Sequence, residues 1–99
     1  MAQREVSILD KAVEEVANVA YFIEGKGLPA TAKKFVDSAF LFFEKLGKSP
    51  VTHKPCSFTA WKDLNYRCVP YRKKFMVAYL DMGDEIIICD FALQKMLKA

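Results

Sequence analysis

Apolar positions recur at helical spacing through the first half of this chain, and the second half switches to alternating and continuous apolar runs. Ala12, Val16, Val19, Ala20 and Ile23 fall along one stripe and predict an amphipathic helix, with Asp10 as its N-cap and Glu14 and Glu15 near the positive end of its dipole. Gly25-Lys26-Gly27 ends it. Within Arg4–Leu9, Val6 and Ile8 alternate with polar neighbours, the pattern of a short strand. Pro29 suits the first turn of a second helix, which Gly47 and Ser49-Pro50 close. The stripe of that helix is Leu28, Ala32, Phe35, Ala39, Phe42, Phe43 and Leu46. Leu41 points almost opposite this stripe and Phe40 sits at its margin, which makes the two a candidate partner-binding strip; a tolerated surface residue is the commoner role.

After an irregular stretch over 51–62, three short strands follow. In the first, Leu64, Tyr66 and Cys68 point one way and Asn65, Arg67 and Val69 the other, up to Pro70, which cannot donate to a ladder. The second places Phe75, Val77 and Tyr79 on one face, and Asp81-Met82-Gly83-Asp84 reads as a hairpin turn. Ile86-Ile87-Ile88-Cys89 is apolar on both faces, as in a central strand. From Ala92 the residues favour a short helix. The predicted class is α+β: an N-terminal strand and a helical hairpin packed on a small, mainly antiparallel twisted sheet, with a short C-terminal helix. The opposite side of that sheet, carrying Arg67, is expected to be open.

Length bounds what such a fold can hold. The 99 residues, 53% hydrophobic and 27% charged, describe a single domain over 1–99. A domain of this size buries about 65% of its unfolded surface, so a shallow groove is expected rather than a deep cavity. Net charge is +3, unevenly distributed: residues 1–25 carry a balance of −3, residues 26–74 of +8, and residues 75–99 of −2. A cationic middle between acidic flanks favours an anionic partner, nucleic acid or an acidic protein segment. Arg72, Lys73 and Lys74 fall at a strand connection, and together with Arg67, Lys54 and Lys62 they are the candidate target-binding residues. Solvated lysines are the ordinary alternative, and for Arg67 it is an ion pair across the sheet.

Other chemistry is thin. Cys56, Cys68 and Cys89 are odd in number and widely spaced, and the lone His53 has no partner at metal-ligand spacing, so neither a zinc site nor a disulfide framework is expected. Cys68 and Cys89 are expected to be free thiols acting as small hydrophobes, in a reducing, cytoplasmic setting. No cofactor is indicated, and no apolar run is long enough to span a bilayer.

The order strand, helix, helix and three antiparallel strands resembles the RelE/ParE superfamily of bacterial toxins from type II toxin–antitoxin modules. The likeness rests on Pro29-Ala30-Thr31-Ala32-Lys33-Lys34-Phe35 opening the second helix, Ser49-Pro50 at its end, Leu64-Asn65-Tyr66-Arg67, the aromatic–aliphatic strand ending in Tyr79, the acidic turn, and Ile86-Ile87-Ile88. It implies a cytoplasmic growth inhibitor, of the kind linked to plasmid stabilisation, held inactive by a cognate antitoxin; a homodimer is left open. ParE-like members poison DNA gyrase. RelE-like members cut messenger RNA on the ribosome, and a metal-independent cut needs a base, an acid and cations for the phosphorane charge. The resemblance carries Arg67 onto the family's strand arginine and Lys54 and Lys62 onto its early lysines. The C-terminal group is missing: no arginine follows Arg72, no tyrosine follows Tyr79 and no histidine follows His53. Lys95 is the local substitute, and an ordinary lysine is a poor general acid near neutrality. The expected function is thus a ParE-like gyrase poison. The alternatives are a RelE-like endoribonuclease with Arg67 as a catalytic residue, and a non-toxic interaction domain of the same fold. Whether the chain is an enzyme is left open.

Overall fold

A computed structural model describes residues 4–49 and 51–98; the expected role of Pro50 lies outside them. The elements are β1 (Glu5–Ile8), α1 (Asp10–Gly25), α2 (Pro29–Lys48), β2 (Arg67–Tyr71), β3 (Phe75–Asp81) and β4 (Glu85–Leu93), then a 3-10 turn (Gln94–Met96). The sheet order is β1-β4-β3-β2, with β1 parallel to β4 and the remaining pairs antiparallel. β4 is therefore flanked on both edges, as its unbroken apolar run requires. The C-terminal helical element is this single 3-10 turn, because β4 runs on to Leu93 before the chain bends.

Helix boundaries follow local chemistry, with two differences. Leu9, not Asp10, is the N-cap of α1, so Asp10 acts within the first turn, at the positive end of the helix dipole. Gly27, at φ +83°, takes the left-handed conformation that turns the chain into α2. Gly47 does not stop α2; it lies inside the helix and is buried. A Cβ there would lie 2.8 Å from the Arg4 carbonyl oxygen and run into Val6, so the glycine exists for close passage of the strand. The Arg4 backbone N–H donates to the Gly47 carbonyl at 3.0 Å. The Arg4 guanidinium donates to the Leu46 and Ser49 carbonyls and to Asp81 Oδ2, joining the C-terminus of α2 to the end of β3.

The helices cover one face of the sheet. Ala12 and Val16 from α1 and Phe35, Ala39, Phe43 and Leu46 from α2 pack on Ile86, Ile88, Phe91, Val77, Tyr79, Val69 and Tyr71. Aromatic rings fill much of the space: Phe75 stacks on Phe91 at 5.0 Å, and Phe42 lies 4.7 Å from Tyr71. A bulge in the β3–β4 ladder, where Ala78 pairs with Asp90 and Tyr79 with Ile88, leaves Cys89 as the extra residue. Ile88 and Phe91 can then share the core face despite their odd spacing.

The other face is covered as well, contrary to the open surface expected from the sequence. Cys56, Trp61 and Ala78 are buried there with Phe58, Tyr66, Cys68, Met76, Ala92 and Leu97 around them. Trp61 anchors this layer by donating from Nε1 to Asp90 at 3.0 Å. Arg67 is not on this face. It pairs with Tyr79 and alternates with Val69 and Tyr71, so it belongs to the helix-facing side. A two-residue period says which side chains share a face but not which face the helices take.

The cysteine expectation is also corrected. Cys56 and Cys68 form a disulfide, and only Cys89 is a free, buried thiol. The segment 51–56, here called the strap, runs antiparallel beside the start of β2: Cys56 N–H donates to the Tyr66 carbonyl and Cys68 N–H to the Lys54 carbonyl. That pairing brings together two cysteines 12 residues apart, which their spacing does not reveal. Among the described residues no helix is long and apolar enough to cross a membrane, and no cluster of three or more His, Cys, Asp or Glu is placed to hold a metal.

Candidate functional site

The cationic triplet sits where backbone economy argues against it. Arg72 (φ +53°) and Lys73 (φ +63°) occupy consecutive left-handed positions in the β2–β3 connection, where Gly or Asn is the inexpensive choice. Strain of this kind, of order 1 kcal/mol per residue, clusters at functional sites. The connection is braced from behind: Gln94 N–H donates to the Lys74 carbonyl at 2.8 Å, and Gln94 Nε2 donates to the Phe75 carbonyl at 3.2 Å. The Arg72 guanidinium lies over the Tyr71 ring, 5.3 Å from its centroid.

This braced turn forms one rim of an open groove of about 1130 Å³. Val19, Phe22 and Ile23 of α1, Phe35 of α2 and Phe75 and Leu93 of the sheet supply apolar lining. Arg72, Lys73, Lys74 and Lys95 supply positive charge, against Glu15 on the far wall. Among the described residues no carboxylate pairs with any of those four cations; Glu15 is itself paired with Lys11. Phe22 is 64% exposed and Met96 71%, so apolar surface continues onto the lip. A surface with a greasy trough and one cationic edge is built for an amphipathic segment carrying acidic side chains. Lys95, which the sequence offers only as a substitute for a missing C-terminal arginine, joins the groove because the 3-10 turn is tied to the β2–β3 connection through Gln94.

Arg67 lies elsewhere. Five residues at roughly 3.3 Å each put it about 16 Å along β2 from Arg72, so the two do not make one patch. Its Nη1 donates to the His53 carbonyl at 3.2 Å. Beside it, the buried Tyr79 hydroxyl accepts the His53 backbone N–H at 3.3 Å and lies 2.8 Å from His53 Nδ1. The arrangement that gives the hydroxyl proton a partner is donation to Nδ1, which leaves the ring proton on Nε2. Burial, and then the charge of Arg4, push the His53 pKa below its ordinary 6.5. A half-buried, neutral imidazole held by tyrosine next to an arginine was not visible in the sequence: His53 is 14 residues from Arg67 and 26 from Tyr79. Asp81 is nearby, its carboxyl held below the usual range by the Gly83 backbone N–H and by Arg4.

The remaining sequence candidates are scattered. Lys54 is exposed on the strap and Lys62 is exposed in the turn that follows Trp61. Leu41 is 52% exposed, whereas Phe40 is half-buried with its ring edge-on to Phe43 at 5.7 Å. Phe40 is thus partly committed to the core, and Leu41 alone does not make a strip.

Among solved structures, a chain of the chromosomal ParDE toxin–antitoxin system from P. aeruginosa is similar. The TM-score is 0.74 at 15% identity, over 92% of this chain and 96% of that one. The chain therefore shares the fold of that ParDE chain, as the order of its elements led one to expect. No protein-family model matches the chain, and no curated sequence does.

Proposed function

We propose that this chain is the toxin of a type II toxin–antitoxin module, a growth inhibitor whose groove receives an acidic amphipathic segment of a cognate antitoxin. The observation that carries this reading is the groove itself: an apolar trough with a cationic turn held in a costly conformation at its edge, on a RelE/ParE-type fold. The toxin is ParE-like and acts on DNA gyrase as a binding protein. Its strand arginine is engaged with the His53 carbonyl, and no arginine after Arg72, tyrosine after Tyr79 or histidine after His53 supplies the C-terminal group that RelE-like members use for a metal-independent RNA cut.

One observation favours a second reading, the ribosome-dependent endoribonuclease: His53 stands beside Arg67, so a neutral base and a cation are neighbours. The test is induction in a bacterial host. Growth is expected to slow and to recover when the neighbouring open reading frame is co-expressed. Accumulation of gyrase-cleaved DNA with the purified protein supports the ParE-like mode, and transcripts cut within codons would replace it with the ribonuclease. Unhindered growth at good soluble expression would leave only a non-toxic interaction domain.

A further inference from the structure

We propose that Cys56 and Cys68 are a redox-responsive clasp, closing the strap over the pairing edge of β2 and over the Arg67 guanidinium when oxidised and releasing both when reduced. The inference concerns the sheet end remote from the groove and does not rest on the toxin reading.

The strap buries little of itself. Val51, Thr52, Lys54 and Pro55 are exposed and His53 is half-buried; Cys56 is the buried residue of the segment. The non-covalent ties are two backbone hydrogen bonds to Tyr66 and Cys68, the Arg67–His53 carbonyl bond, the hydroxyl of Tyr79, an exposed contact from Thr52 Oγ1 to Asp81 at 3.5 Å and an exposed bond from Val51 N–H to Ser49 Oγ. Apart from those to the buried Tyr79 hydroxyl, these ties lie at or near the protein surface, where water competes for them, so the covalent link keeps them formed together. What the strap covers is specific. β2 is the outer strand of the sheet, and Pro70 removes the donor from its far half. The near half, from Tyr66 to Cys68, retains pairing groups, and these are the ones the strap occupies. With the clasp open, this edge, the guanidinium and the imidazole become available together.

The chemistry is thiol–disulfide exchange. Oxidation starts when one cysteine thiolate attacks a small-molecule disulfide, forming a mixed disulfide and expelling one small thiolate. The second cysteine thiolate then displaces the other small thiolate and closes the protein bond. Two protein thiols and one small disulfide become one protein disulfide and two small thiols, and a dithiol reductant reverses the sum. Cys89 is the internal control: it is buried, and burial pushes its thiol pKa up, away from reactivity.

The test uses the full chain equilibrated in glutathione buffers of graded ratio, with alkylation and peptide mass spectrometry to count thiols and amide hydrogen exchange to read the strap. Cys56 and Cys68 are expected to titrate as a pair while Cys89 stays unchanged. Reduction is expected to speed exchange at 52–54, Cys56 and Cys68 tenfold or more, with β4 unaffected. Free thiols at both positions in excess oxidised glutathione would overturn the proposal. Unchanged strap exchange, or equal acceleration in β4, would also overturn it, making the link either inert or part of the global fold. The Cys56→Ser/Cys68→Ser variant is expected to exchange like the reduced protein in every buffer. If that variant does not fold, reversible reduction of the unmodified chain still decides the question.

Discussion

The β2–β3 hairpin has two ends that treat their polar groups in opposite ways. At the turn, Arg72 and Lys73 stand in left-handed backbone and project charge that meets no carboxylate among the described residues. At the other end, Arg67 and Tyr79 direct their polar atoms inward, to the strap. The two tyrosines make the contrast plain, since Tyr71 and Tyr79 share a face and both are buried. The Tyr79 hydroxyl contacts the backbone and the ring of His53, whereas the Tyr71 hydroxyl has no hydrogen-bond partner among the described residues. One end is organised to hold the protein's own chain. The other gives up local stability to present charge beside a groove.

The largest effect is expected at the turn. Reversing Arg72, Lys73 and Lys74 to glutamate should weaken binding of the neighbouring gene's product by about a hundredfold or more, roughly 3 kcal/mol, with little change in thermal midpoint. Calorimetric titration at two salt concentrations checks this, and undiminished affinity would remove the turn from the binding surface.

The tyrosines offer a test by sign. Tyr79→Phe strips two groups of His53 of their partner and should lower unfolding free energy by about 1–2 kcal/mol in urea. Tyr71→Phe removes an orphaned buried hydroxyl and should raise it by about 1 kcal/mol. Equal effects of the same sign would show that the two ends do not differ as described. Replacing Arg72-Lys73 by Asn-Gly supplies residues suited to left-handed backbone and should also stabilise, by about 1 kcal/mol, while weakening partner binding. Stability without loss of binding would mean that the strain serves no recognition.

The smallest expected effect is in pH. The His53 pKa is lower in the folded protein than in the unfolded chain, so the unfolded state binds more protons in the window below 6.5. The stabilisation is present above that pH and is lost as pH falls from 6.5 through the folded-state value. Asp81, also depressed on folding, extends the loss at lower pH, below its ordinary 3.8. Urea unfolding of His53→Gln should show a flatter profile between pH 6.5 and 5; an unchanged slope would assign the titration to another group.

Short-range pattern was enough to determine the order of elements, both helices, the central placement of β4 and the position of the cationic connection. Each of these depends on periodicity and turn chemistry within about ten residues. Tertiary structure alone decided the rest. Alternation put Arg67 opposite Cys68, but only the arrival of the helices and of the 56–66 layer settled which side each faced. Gly47 reads as a stop signal until β1 passes across it, and His53 reads as isolated until the strap folds back to Tyr79. Lys95 joins the groove, and Cys56 meets Cys68, through pairings that local spacing does not encode. Residues distant in the chain become one site when a sheet brings its edges and loops together, and that choice is made by burial summed over the whole domain.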